Sequence, residues 1–340
     1  MTLKLTHEVL ELETAHPFGI ARGTQHAYRA VWVRLTDQDG AEGWGEANPS
    51  SYYGETADTV VATLGRLAPL LRDADPFDLE TIEWKMWNSI KHNAAARVAV
   101  SAALHDLVGK RLGVPVWKLW GLDPAKAPAS SFTIGIDEPD VIKQKVKEAA
   151  QYPILKVKVG TADDARILRA VREATDKKIR VDANCGWTAT QAIASLPMLK
   201  EFGVELIEQP LPPDDLGGLA RVRRASDLPI IADESCRTAA DIPRLVGAVD
   251  GINIKLAKCG SLREALRMIA VARAHHMMVM VGCMIETSIG ITAAAHFTPL
   301  LDVVDLDGAA LLKRDPFTGA SITGGRVTLP TAPGLGVARR

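Results

Sequence analysis

Residues Ile154–Gly160 read ILKVKVG, a five-to-seven-residue apolar run carrying two lysines two positions apart. Side chains at i and i+2 of a strand share a face, so Lys156 and Lys158 point the same way. That face is either wet or lines a site, and the surrounding sequence decides between them. Comparable runs begin at Ile179, Val204 and Pro229, each about 25 residues after the last. The full series is SSFTIGI, ILKVKVG, IRVDANCG, VELIEQP, PIIADES, GINIKLAKCG, MMVMVGCMIE and DVVDLDG. Helix-patterned segments separate them, among them DDARILRAVREAT, TATQAIASLPMLKEF and SLREALRMIAVARAHH. Regular strand–helix alternation implies right-handed crossovers and a parallel sheet. Eight such strands point to a TIM-like (β/α) barrel. A doubly wound open sheet is the alternative, but no Gly-rich dinucleotide turn follows any strand.

Outward from this core the pattern changes. Residues 1–125 read as an α+β capping domain. AVWVRLTDQDGAEGWGEA gives two strands joined at Asp39-Gly40. Helices are expected over Thr56–Leu71, over Leu79–His92, and in AAARVAVSAALHDLVGKRLG, which Gly113 and Pro115 end. Residues 126–314 form the barrel. The Gly- and Pro-rich segment 315–340, with the strand-like GRVTLP, is expected to return to the capping domain.

The 340 residues carry a net charge of −1, with 47% hydrophobic and 24% charged residues. That balance gives no reason to expect nucleic acid or a membrane surface as partner. The N-terminus is too charged for a signal peptide, and no stretch reaches the ~18 apolar residues of a membrane span. Cys185, Cys236, Cys259 and Cys283 form no CxxC pair. They are read as small fillers in a reduced, cytoplasmic protein.

Barrel enzymes build their sites at the C-terminal ends of the strands. Those ends supply Lys156 and Lys158; Asp182 and Asn184; Glu208; Asp233 and Glu234; Lys255 and Lys258; Cys283 and Glu286; and Asp305 and Asp307. One carboxylate at a strand end is commonly a loop residue or cap. Asp182, Glu208 and Asp233 lie on three successive strands, where they would repel one another unless a cation sits among them. An all-oxygen set completed by water favours Mg²⁺, with Mn²⁺ as a substitute, over zinc. Lys158 and Lys255 then stand across this metal, four strands apart. Lys156 and the divalent ion would press a neighbouring lysine toward its neutral form. Locally, salt bridges explain lysines beside carboxylates equally well, but not why every strand end contributes.

The order KVKVG, VDANCGW, IEQP, ADES, NIKLAKCG resembles the enolase superfamily, in its muconate-lactonizing subgroup, over almost the whole chain. DLDG after the last strand resembles the dipeptide epimerase family. One departure is Ser261 in KCGS, where a second glycine is common. The resemblance implies a (β/α)7β barrel under an α+β cap, Mg²⁺, and abstraction of a proton α to a carboxylate. It makes Lys158 and Lys255 the two bases of a 1,1-proton transfer through a metal-stabilised enolate, and Lys156 the group that polarises the substrate carboxylate. Asp305 and Asp307 match the DxD pair that holds a dipeptide's α-ammonium group. Substrate identity is expected to come from a loop of the capping domain, HPFGIARGTQH, where Arg22 matches the position at which L-Ala-D/L-Glu epimerases hold an arginine for the glutamate side chain; a surface arginine near a turn is the bland alternative. Thr133, Cys283 and Glu286 are candidates for lining the pocket, as are His26, Tyr52 and Tyr53, with Asn184 and Glu234 in support.

The implied activity is epimerisation at the C-terminal residue of a small dipeptide, L-Ala-D/L-Glu being the expected substrate, by an isomerase that assembles as a homo-oligomer in the manner of many such barrels. A muconate cycloisomerase or o-succinylbenzoate synthase would share the lysines and metal ligands but has no need of Asp305 and Asp307. A His–Asp dyad racemase is disfavoured by Lys255. A non-catalytic metal-dependent binder would not need the full set of lysines and carboxylates.

Overall fold

The computed structural model describes residues 2–340. The chain opens with an antiparallel three-stranded sheet, β1 (Lys4–Ile20), β2 (Gly23–Thr36) and β3 (Glu42–Ala47). Three helices follow: α1 (Ala57–Leu71), α2 (Leu79–Ser89) and α3 (Ala94–Leu112). Thr56 caps α1 through a reciprocal capping box with Thr59. The helix expected to reach His92 stops at Ser89. Asn88 and Ser89 turn their side chains back onto the carbonyls of Trp84 and Met86, and His92 and Asn93 take left-handed backbone angles. Helix α3 is apolar all round because it is a central element: every residue from Ala94 to Gly109 is buried. It meets β3 so closely that a Cβ on Gly45 would lie 1.9 Å from the Ala99 carbonyl. Gly113 ends it in the left-handed conformation, as expected.

A short α4 (Val116–Leu119) leads into the barrel. Its strands and helices alternate: β4 (Phe132–Ile134), α5 (Pro139–Glu148), β5 (Ile154–Lys158), α6 (Asp164–Ala174), β6 (Lys178–Asp182), α7 (Ala189–Glu201), β7 (Val204–Glu208), α8 (Leu216–Ala225), β8 (Ile230–Ala232), α9 (Ile242–Leu245), β9 (Gly251–Ile254), α10 (Leu256–Cys259), α11 (Leu262–Ala274), β10 (Met278–Val281), α12 (Ser288–Ala295) and β11 (Val303–Val304). All eight strands are parallel and in sequence order. A parallel bridge between Ser130 and Val304 joins the last strand to the start of the first. The open doubly wound alternative is thereby excluded. Val157, Ile179, Val181, Ile207, Ile230, Ile252, Ile254 and Val281 are all buried in the apolar layer between strands and helices. With the outward face of each strand apolar, the polar strand residues are left to the inside and the mouth.

The final segment runs back across the cap. Lys313 N–H bonds the Glu13 carbonyl at 2.9 Å, and Leu335 N–H bonds Asp106 of α3 at 2.7 Å. The strand-like GRVTLP forms a small hairpin, Ser321–Thr323 against Arg326–Thr328. The segment HPFGIARGTQH differs from the sequence reading: it is not a loop but the end of a long β1–β2 hairpin, with only Ala21 and Arg22 in the turn. Among the described residues no helix is long and apolar enough to cross a membrane.

Candidate active site

Strand geometry sets the site. Lys156 pairs in register with Arg180 and Lys158 with Asp182; Asp182 pairs with Glu208. Carboxylate oxygens of Asp182, Glu208 and Asp233 come within 4.8 Å of one another. All three side chains are almost wholly inaccessible. Three buried carboxylates at this spacing must be neutralised. Lysines do so in this structure. Lys158 Nζ lies 2.7 Å from Asp182 Oδ2, and Lys255 Nζ lies 2.7 Å from Asp233 Oδ2. Lys156 Nζ stands 3.2 Å from Asp182, 2.7 Å from Glu208 and 2.9 Å from Asp305. Glu208 Oε2 and Asp233 Oδ2 meet these ammonium groups at ion-pair distance but outside hydrogen-bonding directions. Converging, poorly satisfied carboxylate oxygens of this kind fit a hard divalent cation such as Mg²⁺.

Protonation follows from the same contacts. Burial and the nearby Asp182 push Glu208 up to about 7. Asp182, although buried, is held well below the usual carboxylate range by Lys158 and Lys156. Burial would lower Lys255, yet Asp233 outweighs it and holds the ammonium above its ordinary value. Lys156 is raised in the same way by Asp305, Glu208 and Asp182. With no divalent ion among them, the carboxylates that touch Lys255 and Lys156 thus outweigh the like-charge pressure between the lysines.

Asp305 and Asp307 stand after β11 on the rim beside β4. Ser131 Oγ donates to Asp305 Oδ1 at 2.6 Å, and Thr133 N–H donates to Asp307 Oδ2 at 2.6 Å. Burial and the adjacent Asp305 raise Asp307 to about 7. Cys283 Sγ is 3.9 Å from Asp307 Oδ1. Thr133 and Cys283 therefore join the aspartate pair. Glu286 lies deeper, where burial and Glu46 of β3 raise it to about 8.

Across the mouth, the hairpin turn brings Arg22 onto two barrel loops. Its Nη1 donates to Glu234 Oε1 and to the Asn184 carbonyl, both at 2.8 Å. Its guanidinium sits 4.2 Å above the Tyr52 ring. Asn184 also donates its backbone N–H to Asp182 Oδ1 at 2.9 Å and its side-chain amide to Oδ2 at 3.3 Å. Asn184 and Cys185 both adopt positive φ, which turns this loop over the carboxylates.

Four contributors were not assigned roles from sequence. Lys258 Nζ, fully buried, bonds the Asp233 carboxylate and reaches the carbonyls of Cys236 and Asn253 at 2.9 and 3.0 Å. Asn253 Nδ2 donates to Glu208 Oε1 at 2.7 Å. Gln209 Oε1 accepts the N–H groups of Asp233 and Ser235. Ser131 is the fourth. Asn253 and Ser131 lie two residues before Lys255 and Thr133, so the i, i+2 rule that paired Lys156 with Lys158 reaches them too.

Residues 141–339 match the family Enolase C-terminal domain-like, and residues 4–121 match Mandelate racemase / muconate lactonizing enzyme, N-terminal domain. The chain is 44% identical to an L-Ala-D/L-Glu epimerase of Bacteroides thetaiotaomicron over 98% of its own length and 88% of that protein. It superposes on a dipeptide epimerase of Enterococcus faecalis complexed with Mg and L-Leu-L-Tyr with a TM-score of 0.94, at 35% identity and full coverage of both chains. A substrate-liganded L-Ala-D/L-Glu epimerase of Bacillus subtilis gives a TM-score of 0.94 at 32% identity, covering 99% and 98% of the two chains. With a site of opposed lysines, converging carboxylates and a paired-aspartate rim, the chain belongs to the dipeptide epimerase family of the enolase superfamily and is an isomerase.

Proposed function

We propose that the protein is an Mg²⁺-dependent dipeptide epimerase that inverts the α-carbon of the C-terminal residue, with L-Ala-D/L-Glu as substrate. The observation that carries this reading is the placement of Lys158 and Lys255. Lys158 ends strand β5 and Lys255 directly follows β9, and they contact different carboxylates of one triad, Asp182 and Asp233. An α-carbon between them would have one amine on each face. One lysine takes the α-proton while the other, as its conjugate acid, delivers one to the opposite face, which is inversion. A divalent cation held by Asp182, Glu208 and Asp233 would supply positive charge against the negative charge that develops on the substrate carboxylate. Lys156 adds a fixed ammonium beside the same carboxylates.

Asp305 and Asp307 provide the anionic end for the substrate's α-ammonium. Both are oriented before substrate arrives, by Ser131 and by the Thr133 amide. A cycloisomerase substrate lacks an ammonium and would leave this pair without a partner. Arg22 supplies a cation at the other side of the mouth for an acidic side chain.

The test is α-proton exchange in D₂O with Mg²⁺ present. L-Ala-L-Glu should lose its C-terminal α-proton and accumulate as L-Ala-D-Glu. Absence of exchange across a library of dipeptides sinks the reading.

A further inference from the structure

Each carboxylate of the triad has one oxygen committed to a protein donor outside the lysine pair. Asn184 N–H donates to Asp182 Oδ1 at 2.9 Å, Asn253 Nδ2 donates to Glu208 Oε1 at 2.7 Å, and Lys258 Nζ donates to Asp233 Oδ1. The other oxygens, Asp182 Oδ2, Glu208 Oε2 and Asp233 Oδ2, are the ones that face Lys156, Lys158 and Lys255. The division is sharpest at Glu208 and Asp233, whose inward oxygens are buried and take no directed hydrogen bond. Asp182 Oδ2 accepts from Lys158 and, at 3.3 Å, from the Asn184 amide.

The two side-chain donors are themselves held. Lys258 is fully buried, and the carbonyls of Cys236 and Asn253 occupy the rest of its ammonium at 2.9 and 3.0 Å. It cannot swing off Asp233 without leaving these buried groups unpaired. The Asn253 side chain is inaccessible and lies against Gly282, where a Cβ would stand 2.7 Å from Nδ2. A side chain at position 282 would push the amide off Glu208.

A carboxylate pinned by one oxygen can offer a cation only the other. Mg²⁺ is small, demands a near-ideal octahedron and keeps several of its waters, so single oxygens from three carboxylates suit it. Ca²⁺ is larger, takes about six to eight oxygens and gains from carboxylates that bind through both. Because Mg²⁺ gives up water reluctantly, carboxylates free to turn would lose this distinction. Discrimination then lies with the donors that hold the second oxygens.

We propose that Asn253 and Lys258 set the metal selectivity of the site: by limiting Glu208 and Asp233 to one inward oxygen each, they favour Mg²⁺ over Ca²⁺. The proposal rests on the reading of the triad as a divalent-cation site and adds to it the residues that choose the ion.

The experiment needs no substrate. Metal-free enzyme is titrated separately with MgCl₂ and CaCl₂ at constant ionic strength, and the rise in Tm gives an apparent Kd for each ion. In the native enzyme Kd for Ca²⁺ should exceed Kd for Mg²⁺. Asn253→Leu roughly keeps the side-chain volume and frees Glu208 Oε1. The Ca²⁺-to-Mg²⁺ ratio of Kd should then fall about tenfold, the scale of losing one outer partner of a metal ligand. Lys258→Met frees Asp233 Oδ1 and should move the ratio the same way. It also leaves buried carbonyls without a donor, so if it does not fold, the native enzyme and Asn253→Leu decide. A merely structural role would weaken both ions alike and leave the ratio where it was. A native enzyme that binds Ca²⁺ as tightly as Mg²⁺ overturns the proposal, whatever the variants do. So does an unchanged ratio in Asn253→Leu. No rise in Tm with either ion strikes at the triad as a metal site and takes the proposal with it.

Discussion

Lys255 Nζ lies 2.7 Å from Asp233 Oδ2, while Lys158, four strands away, makes its 2.7 Å contact with Asp182. Each putting an amine on its own side of the triad, the two lysines are not interchangeable. Lys158→Ala and Lys255→Ala should each reduce epimerisation by at least about 10³-fold, in line with loss of a positioned base. The two variants should differ in exchange, each retaining deuterium uptake from one stereoisomer of the dipeptide and losing it from the other. Equal residual exchange of both stereoisomers by either variant would be incompatible with two opposed bases.

Metal removal should act on stability as well as on turnover. Asp182, Glu208 and Asp233 are buried together and are neutralised by lysines alone when no cation is shared among them. A cation that binds only the folded chain stabilises it by about 2.7 kcal/mol at a hundredfold excess over Kd. Mg²⁺ should raise Tm by a few degrees, EDTA should reverse the rise, and Asp182→Asn should abolish most of it. A Tm independent of Mg²⁺ in the native enzyme would argue against this triad as the metal site.

The aspartate pair should govern binding of the amino terminus. Asp305 is already shared with Ser131 and Lys156, so Asp307, with only the Thr133 amide and a distant thiol beside it, carries more of the free acceptor capacity. Asp307→Asn should therefore raise KM about tenfold or more, by loss of a charge-assisted contact. Asp305→Asn should depress kcat as well, because it also removes a partner of the Lys156 ammonium. An N-acetylated dipeptide, which has no ammonium, should be a poor substrate for the native enzyme and lose little further in Asp307→Asn. Turnover of L-Ala-L-Glu unaffected by both substitutions would favour a cycloisomerase-type substrate.

The strand ends make most of this site legible in the sequence. Lys156 and Lys158 share a face by strand geometry, and the ~25-residue strand spacing carries Asp182, Glu208 and Asp233 to neighbouring positions on the rim. The fold class followed from the same alternation. Legibility failed where side chains act across elements. Lys258 sits in the one-turn α10, and nothing in LAKC signals that its ammonium would fold back onto Asp233 and the Asn253 carbonyl. Strand β1 carries little sequence signature, because its partner β2 covers one edge only and most of its residues are exposed or half-buried, which blurs the alternation. Arg22 consequently looked like a loop residue. Its contacts with Glu234 and Asn184, 212 and 162 positions away in sequence, depend on the hairpin reaching the barrel rim. Long-range placement of that kind leaves no periodic trace.

Two buried histidines should make the protein acid-labile independently of the active site. Burial lowers both His105 and His296 to about 4. His105 Nδ1 bonds the Ser101 carbonyl at 2.8 Å, and its Nε2 is buried without a partner. His296 Nδ1 accepts the Trp117 N–H at 3.1 Å and its Nε2 faces the Leu335 carbonyl at 3.1 Å. Protonation of His296 would turn its acceptor into a second donor opposite an N–H. The folded-state values are depressed, so the unfolded chain binds these two protons first as pH falls. Their stabilising effect is therefore intact above pH ~6.5 and is lost between ~6.5 and ~4, below which both states are protonated. Two protons correspond to a slope of up to about 2.7 kcal/mol per pH unit inside that window. Glu208, Asp307 and Glu286, raised to about 7, 7 and 8, take up protons in the folded state over the same range and oppose this loss. The histidine contribution is therefore read as a difference. In urea unfolding at pH 7, 6, 5 and 4.5 the native protein should lose stability relative to His296→Gln, which keeps one acceptor and one donor, by up to about 1.4 kcal/mol per pH unit. Parallel stability curves for the native protein and His296→Gln across the window would show that the histidine is not what titrates.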